Sequence, residues 1–356
     1  MCTINFLKEE IKMNNTFSSA EKFSGYFQPT FETNLSVMKK TKVKHPFWVM
    51  VSKEISDQVT SWRFIVMILL IVLTCMGSLY TALGQFAKSS ASVGSDSFFF
   101  LKLFTLSDGT LPPFIIFISF LAPLLGISLG FDAINSEYNR GTLSRILSQP
   151  IYRDYIINAK FMAALMVVSF LFFTLGLLVI GCGLIALGIP PSSDELFRIL
   201  FYLIISIVYV AFWLNLSILF SVTFRQPATS ALSGIAVWLF FSVFYNMIIE
   251  LLAKGLAPRG MVTEQQIVNF QNGILNLMRL NPSQLFSDAN ITLLMPSVRS
   301  LGALTMSQVE GALPTPLPLG QSLLMVWPQV TGLIAGTILL FAISYYLFMR
   351  QEIRSR

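Results

Sequence analysis

The sequence predicts an all-α, polytopic membrane protein with six transmembrane helices and both termini in the cytoplasm. Three observations lead to this prediction: the composition, six long apolar segments, and the distribution of Lys and Arg. Of the 356 residues, 54% are hydrophobic and only 12% are charged, with a mean hydropathy of +0.69. Soluble domains carry about 25% charged residues. An independent water-soluble fold is therefore excluded, as is an intrinsically disordered chain.

Six segments are long enough to cross a bilayer, because a helix needs about 20 apolar residues to span roughly 30 Å of hydrocarbon. Pro112 and Pro113 open the second span, where proline costs no helical hydrogen bond. A break at Arg225, Gln226 and Pro227 separates the fourth span from the fifth. The predicted spans cover residues 64–83, 112–131, 161–187, 199–222, 228–252 and 326–349.

The orientation follows from the basic residues. Of the 24 Lys and Arg, 17 lie on the side of the two termini, in the N-terminal tract, two loops and the C-terminal tail. The positive-inside rule places that side in the cytoplasm. The net charge of +6 is therefore attributed to basic residues that set the membrane topology, and no nucleic-acid partner is expected. We expect a multi-pass protein of the cell (plasma) membrane.

An amphipathic helix is predicted over residues 45–63, after a flexible cytoplasmic tail formed by residues 1–44. Its apolar residues recur at helical spacing: Phe47, Trp48, Val51, Ile55, Val59 and Trp62. Its charged residues are expected on the other faces: Lys53, Glu54, Asp57 and Arg63. Such a pattern is typical of a helix lying in the head-group plane, with Trp at the interface and membrane lipid as its partner.

The cytoplasmic loop at 132–160 contains a second helical pattern. Gly141 is suited to break the preceding helix in a left-handed conformation, and Thr142 is suited to cap the next one. The apolar side chains Leu143, Ile146 and Leu147 share one face of that short helix, and Gln149-Pro150 ends it. The pattern predicts an amphipathic surface helix that can dock onto another protein.

Residues 254–321 form the largest segment on the other side of the membrane. An amphipathic stretch at 263–280 and a helical candidate at 285–294 predict a cap of re-entrant or surface helices, and three prolines after 313 predict an extended return. Residues 350–356 form a cytoplasmic tail. Gly126-x-x-x-Gly130 and Gly332-x-x-x-Gly336 match a motif for close contact between helices. Chance matches to this motif are frequent, so a close contact and a chance match both stay open for each pair.

Four pieces of the sequence, between about residue 45 and the C-terminus, form a recognisable set. The most specific piece is the loop Glu137-x-x-Arg140-Gly141-Thr142-Leu143 with Ser148-x-Pro150, Arg153 and Lys160. The others are the Lys53-Glu54 helix leading to Arg63-Phe64, the segment 280–287 with Asn281-Pro282-Ser283, and the ending 348–354. Together these pieces resemble the permease subunits of ABC-2-type ABC transporters. The resemblance implies a six-helix, type V exporter-like transmembrane domain.

The resemblance also implies a half-transporter that pairs with a second permease copy, identical or different, and with ABC ATPase subunits. The short helix would then be the coupling helix, with Glu137, Arg140, Gly141, Thr142, Leu143, Ile146 and Leu147 as the coupling residues. No Gly-x-x-x-x-Gly-Lys-Ser/Thr phosphate loop occurs in the sequence. ATP would therefore be bound by the partner, and this chain is expected to be neither an enzyme nor a holder of a cofactor.

Other classes are weighed against this one. An ion-coupled secondary transporter would place ionisable residues or broken helices at mid-membrane, and an intramembrane enzyme would need a catalytic set within the spans. The single histidine, His45, and three separate cysteines suggest neither catalytic nor metal-binding residues. An ABC permease that transmits mechanical work to an outer protein, without moving a solute, is a further alternative.

Overall fold

The computed structural model describes residues 45–89, 98–149, 151–258, 263–298, 300–302 and 316–351. The predicted tail at 1–44, most of the predicted extended return, and residues 352–356 lie outside the described residues. The described chain folds into these helices: α1 Pro46–Val59, α2 Trp62–Ser89, α3 Phe99–Thr105, α4 Phe114–Gly130, α5 Asn135–Asn139, α6 Thr142–Leu147, α7 Asp154–Leu187, α8 Ser193–Thr223, α9 Pro227–Leu239, a π-helical segment Phe240–Phe244, α10 Tyr245–Leu256, α11 Glu264–Met278, α12 Pro282–Leu294 and α13 Leu319–Arg350.

Six helices in the described residues are long and apolar enough to cross a membrane, which confirms the predicted number of spans. They cover Trp62–Phe86, Phe114–Asn139, Asp154–Leu187, Ser193–Thr223, Pro227–Leu256 and Leu319–Arg350. Most extend beyond the predicted limits, by eight residues at the end of the second span and by seven at the starts of α7 and α13. The reason is that a hydropathy pattern stops at the first polar residues, whereas the helices continue through them. At α8, the capping box of Ser192 and Glu195 adds such a polar first turn.

Helix α8 lies at the centre of the bundle and packs against α4, α7, α9, α12 and α13. Its side chains Tyr202, Tyr209 and Trp213 are fully buried. Polar contacts add to this packing: Ser217 Oγ donates to Ile127 O at 3.1 Å, and Asn215 Nδ2 donates to Thr337 O at 3.2 Å. Since lipid is as apolar as the side chains, close packing and such bonds hold membrane helices together.

Helices α4 and α8 approach each other closely at Gly126 and Gly130. A Cβ on Gly126 would lie 2.8 Å from Val210 O, and one on Gly130 would lie 2.8 Å from Leu214 O. The first glycine motif therefore marks a backbone contact. The second differs, because Cβ atoms on Gly332 and Gly336 would meet only side chains, at 3.3 Å and 3.1 Å.

The two helices of the segment after α10 differ in burial. Helix α11 is amphipathic and largely exposed, whereas α12 packs against α8 and α13 and buries Phe286, Ala289 and Leu293. The ring of Phe286 stacks on Tyr209 at 4.2 Å between centroids. Helix α12 is therefore part of the core and not a surface element. We call the end of the bundle with α11 and α12 the distal end, and the end with α1, α5 and α6 the proximal end.

Arg198 joins three helices at the distal end. The predicted fourth span begins at residue 199, which places Arg198 in the preceding loop. In the structure Arg198 is fully buried in the first turns of α8. Its guanidinium pairs with Asp194 at 2.8 Å and donates to Leu293 O, Leu317 O and Ser322 Oγ at 2.7–3.1 Å. Because every one of these acceptors is protein, the charge can be buried away from water, and it connects α8 to the ends of α12 and α13.

Gly126→Ala should destabilise the protein by about 1–3 kcal/mol, because a methyl group would be forced into the backbone of α8. Gly181→Ala is the matched control within α7, since nothing lies within 4 Å of a Cβ there. That change should be neutral or stabilising by up to about 1 kcal/mol, from helix propensity. The unfolding midpoints of the purified proteins in one detergent compare them, and equal midpoints would contradict the backbone contact.

Candidate functional site

A cavity of about 620 Å³ lies at the proximal end, where α1, α5, α6 and the first turns of α7 meet. Charged side chains from separate parts of the chain line it, among them Glu54, Arg63, Asp132, Glu137, Arg145 and Lys160. The structure therefore brings the predicted interfacial helix and the predicted docking loop together around one polar space. From the sequence, the interfacial helix and the docking loop were predicted separately, with no contact between them.

Lys160 holds two carboxylates at the base of this cavity. Its Nζ lies 2.9 Å from Glu54 Oε2 and 2.8 Å from Glu137 Oε1, and the three side chains are only 9–13% exposed. Lys160 was expected in the loop but lies in the second turn of α7. Glu54 was expected on a face of α1 other than the apolar one that packs, but it is buried against α7. We call Glu54, Glu137 and Lys160 the ion cluster.

The ion cluster keeps Glu54 ionised. Burial by itself would raise the pKa of Glu54, but the charges and hydrogen bonds of Lys160 and Lys53 outweigh it and lower the pKa below its ordinary value of 4.5. The second carboxylate oxygen of Glu137, Oε2, is buried and has no hydrogen-bond partner in the described part of the chain. The cluster thus combines one well-paired carboxylate with one that is only half satisfied.

The observed α1 confirms a helix in the predicted region, but the chain bends at Thr60 and Ser61, so Trp62 and Arg63 belong to α2. Helix α1 packs on α7, with Val51 against Ala159 and Ala163. Trp48 and Trp62 are 51% and 75% exposed, and their position at a membrane interface stays a prediction. Lys53 pairs with Glu54 and Asp57, and Arg63 pairs with Asp132 at 2.6 Å.

Gly141 adopts the left-handed conformation that the sequence predicts, with φ +67°. It occupies the N-cap position of α6, so the predicted role of Thr142 as the cap is wrong. Thr142 is instead the first residue of the helix, and its Oγ1 donates to Glu137 O at 3.2 Å. This bond fastens α6 to α5, directly beside the ion cluster.

The apolar face of α6 points into the protein, which overturns the prediction that Leu143 and Ile146 form a docking surface. Leu143 is 1% exposed and Ile146 packs against the same core, while the side chain of Leu147 lies outside the described part. A short amphipathic helix buries its apolar stripe against the nearest apolar surface, and here that surface is its own bundle. The described residues exposed around α6 include Arg140, Gly141, Arg145, Ser148 and Gln149.

Contacts from distant parts of the chain hold the two short helices, and sequence reasoning did not detect them. Ser221 Oγ of α8 accepts hydrogen bonds from the backbone N–H groups of Ile134 and Asn135, at 2.9 Å and 3.2 Å. Asn139 Nδ2 donates to Arg225 O at 2.9 Å. A lone Ser in an apolar span carries no sequence signal for this role. The start of α5 is thereby capped by a neighbouring span.

Arg153 also differs from its expected role beside the docking helix. Its guanidinium donates to Phe348 O and Gln351 O, both at 2.5 Å, and lies over the ring of Phe348. Both carbonyl groups lie at the C-terminal end of α13, so Arg153 caps that helix. Within the described residues, no group of three or more His, Cys, Asp or Glu side chains is placed to hold a metal ion.

Comparison with known proteins agrees with this architecture. A family model described as "ABC-2 family transporter protein" matches residues 48–353, which is most of the chain and includes the whole site. The chain belongs to the ABC-2 family. It is also similar to the probable ABC transporter permease protein NosY of Stutzerimonas stutzeri, with 25% identity over 299 residues, covering 82% of this chain and 96% of that protein.

In this ABC-2 protein, Lys160→Met should be strongly destabilising, because it leaves two carboxylates in a buried site without their cation. Breaking one partner of a buried ion pair costs about 3–5 kcal/mol. Lys53→Met is the control, since Lys53 pairs with the same Glu54 but its side chain is 57% exposed; exposed pairs contribute about 0–1 kcal/mol. Denaturant unfolding in detergent would measure both, and equal losses would contradict a buried cluster.

Glu54 should make stability depend on pH in acid. Because its pKa is lowered in the folded protein, its contribution is complete above its ordinary value of 4.5 and is lost as pH falls through the folded value. The difference in unfolding free energy between wild type and Glu54→Gln should therefore be constant near neutral pH and shrink in acid. A difference that stays constant down to about pH 3 would contradict this linkage.

Proposed function

We propose that this chain is the permease subunit of an ABC transporter that forms an export pathway driven by ATP hydrolysis in separate ATPase subunits. Membership of the ABC-2 family, the similarity to NosY and the lack of a phosphate-binding loop in the sequence support this proposal. The observation that carries it is the short helix α6, which is exposed on one face and fastened to three parts of the bundle on the other.

The attachment of α6 suggests how work passes from the ATPase into the membrane. Leu143 fixes α6 to the core, Thr142 fixes it to α5, and Glu137 reaches Lys160 of α7. Through Glu54, the same lysine reaches α1. A push on the exposed face of α6 would therefore displace α1 and the start of α7 together with it, because the buried ion cluster resists separation.

The chemistry of the exposed face describes the partner. Arg140 and Arg145 are exposed, and Ser148 and Gln149 add hydrogen-bonding groups beside Gly141. We propose that the ATPase groove receives α6 through polar contacts to acidic or carbonyl groups. Leu143 does not contact the ATPase in this proposal, because its side chain is buried within the permease.

A second permease copy and membrane lipid would cover the apolar sides of the bundle. Strongly exposed apolar side chains lie on α2, α7, α9–α10 and α13, among them Leu73, Tyr80, Ile185, Leu232, Leu251 and Leu324. We propose a dimer of permeases, identical or different, in the cell (plasma) membrane. A secondary transporter is less well supported, because Asp, Glu, Lys and Arg in the described spans lie only within about two turns of the helix ends.

Gly141→Val should uncouple the transporter, because a β-branched residue resists φ near +67° and would displace α6. Gly188→Val is the matched control: Gly188 ends α7 at the distal end with φ +70°, and nothing lies within 4 Å of a Cβ at either glycine. The ATPase subunit that co-purifies with the wild type is identified first. ATP hydrolysis by the complex in nanodiscs should then fall about tenfold or more for Gly141→Val alone, a loss of about 1.4 kcal/mol in coupling.

Arg145→Glu tests the docking face without changing the backbone, since Arg145 is exposed. It should weaken association with the ATPase and leave the unfolding midpoint unchanged. Equal hydrolysis by both valine variants, or a complex without any ABC ATPase, would contradict the proposal. Uptake or release of solute by vesicles separates a transport pathway from a permease that only transmits mechanical work.

A further inference from the structure

A second cavity of about 440 Å³ lies at the distal end, between the start of α4, the π-helical segment with α10, and α12. Its residues are apolar side chains interleaved with amides and hydroxyls, including Ser119, Phe120, Asn246, Gln284, Asn290 and Met295. None of the described residues lining it is Asp, Glu, Lys, Arg or His. The cavity can thus form hydrogen bonds but offers no charge to neutralise an ion.

Two amide side chains at this cavity have buried atoms without a hydrogen-bond partner among the described residues. Asn290 is fully buried, and neither its Nδ2 nor its Oδ1 has a hydrogen-bond partner among the described residues. The Oδ1 of Asn246, across the cavity on α10, is also buried and unpartnered. Asn281 also lines the cavity, but its amide is paired: Nδ2 donates to Phe241 O, and Oδ1 accepts from the N–H of Ser283. Buried polar groups without a partner are rare and require an explanation.

The wall opposite α12 is an irregular helix. The π-helical turn at Phe240–Phe244 interrupts the fifth span, and Phe241 and Ser242 line the cavity. Asn281 holds this turn in place through Phe241 O at 2.8 Å. Single π-helical turns inside α-helices are found frequently at functional sites. Here the irregular backbone and the unpartnered amides border the same space.

We propose that this cavity binds an uncharged amphiphile, with a hydrogen-bonding head group at Asn246 and Asn290 and an apolar tail along Ile115, Ile116 and Phe120. An ion would lose its hydration without gaining a counter-charge, and a purely apolar ligand would leave the amide of Asn290 and the Oδ1 of Asn246 unpaired. A neutral head group that both donates and accepts satisfies Nδ2 and Oδ1 of Asn290 together. As an assignment of substrate class, this inference rests on the proposed function.

The test uses the full chain, with any ATPase that accompanies it, in nanodiscs of a zwitterionic lipid and without ATP. The probe is a monoacylglycerol with a twelve-carbon chain carrying a diazirine, and mass spectrometry locates the cross-links. Labelling should concentrate near Ile115–Phe120 and Ile291–Met295. Unlabelled monododecanoylglycerol should compete about tenfold better than dodecyl phosphate or dodecylamine, whose chains have the same length.

Asn290→Leu, which has a similar size but no amide, should lower labelling about tenfold. Asn269→Leu is the matched control, because Asn269 is exposed on α11 and does not line the cavity. Asn246→Leu decides the question if Asn290→Leu does not fold, since Asn246 is only half-buried.

Three results would overturn the inference and leave a cavity filled by water. They are equal competition by the charged amphiphiles, labelling confined to lipid-facing helices, and unchanged labelling in the Asn290→Leu and Asn246→Leu proteins. The assay needs no ATP hydrolysis, so its result can be read even if no ATPase is found. If labelling fails while the ATPase still co-purifies, only this inference fails.

Discussion

The two buried cations of this protein, Lys160 and Arg198, must find their partners within the protein, and much of the fold depends on that constraint. A side chain in the apolar interior has no water to replace a missing hydrogen bond. Lys160 therefore binds two carboxylates, and Arg198 binds one carboxylate and three further oxygens. Each of these cations joins three chain segments. The bundle is fastened at its proximal end by one of them and at its distal end by the other.

Between these two ends, α4 and α8 form a closely packed pair. Gly126 and Gly130 let the two backbones approach, and Ser217 adds a hydrogen bond to Ile127 O. Ser221, one turn further along α8, caps the start of α5. The contact that brings the spans together thus continues into the contact that holds the proximal helices. This continuity explains how a surface helix of six residues can be attached firmly to a membrane domain.

The same constraint separates the two cavities. At the proximal cavity, Lys160 is paired with two carboxylates and Arg63 with Asp132, while Arg140 and Arg145 line the same cavity and stay exposed. At the distal cavity there are no charges among the described lining residues, and the amide of Asn290 has no partner. One cavity is thus suited to a protein contact and the other to a neutral ligand.

The sequence by itself determined the membrane class, the number of spans, the turn at Gly141 and the presence of helices around residues 46–59 and 142–147. Apolar length and residue chemistry are local properties, so they can be read along the chain. Only the tertiary structure decided which face each amphipathic helix buries: Glu54 is inside on α1, and Leu143 is inside on α6. A periodic pattern defines a stripe but not the surface that covers it. The partners of Lys160, Arg198 and Ser221 lie on other helices, and pairing between distant segments depends on packing that no local pattern contains.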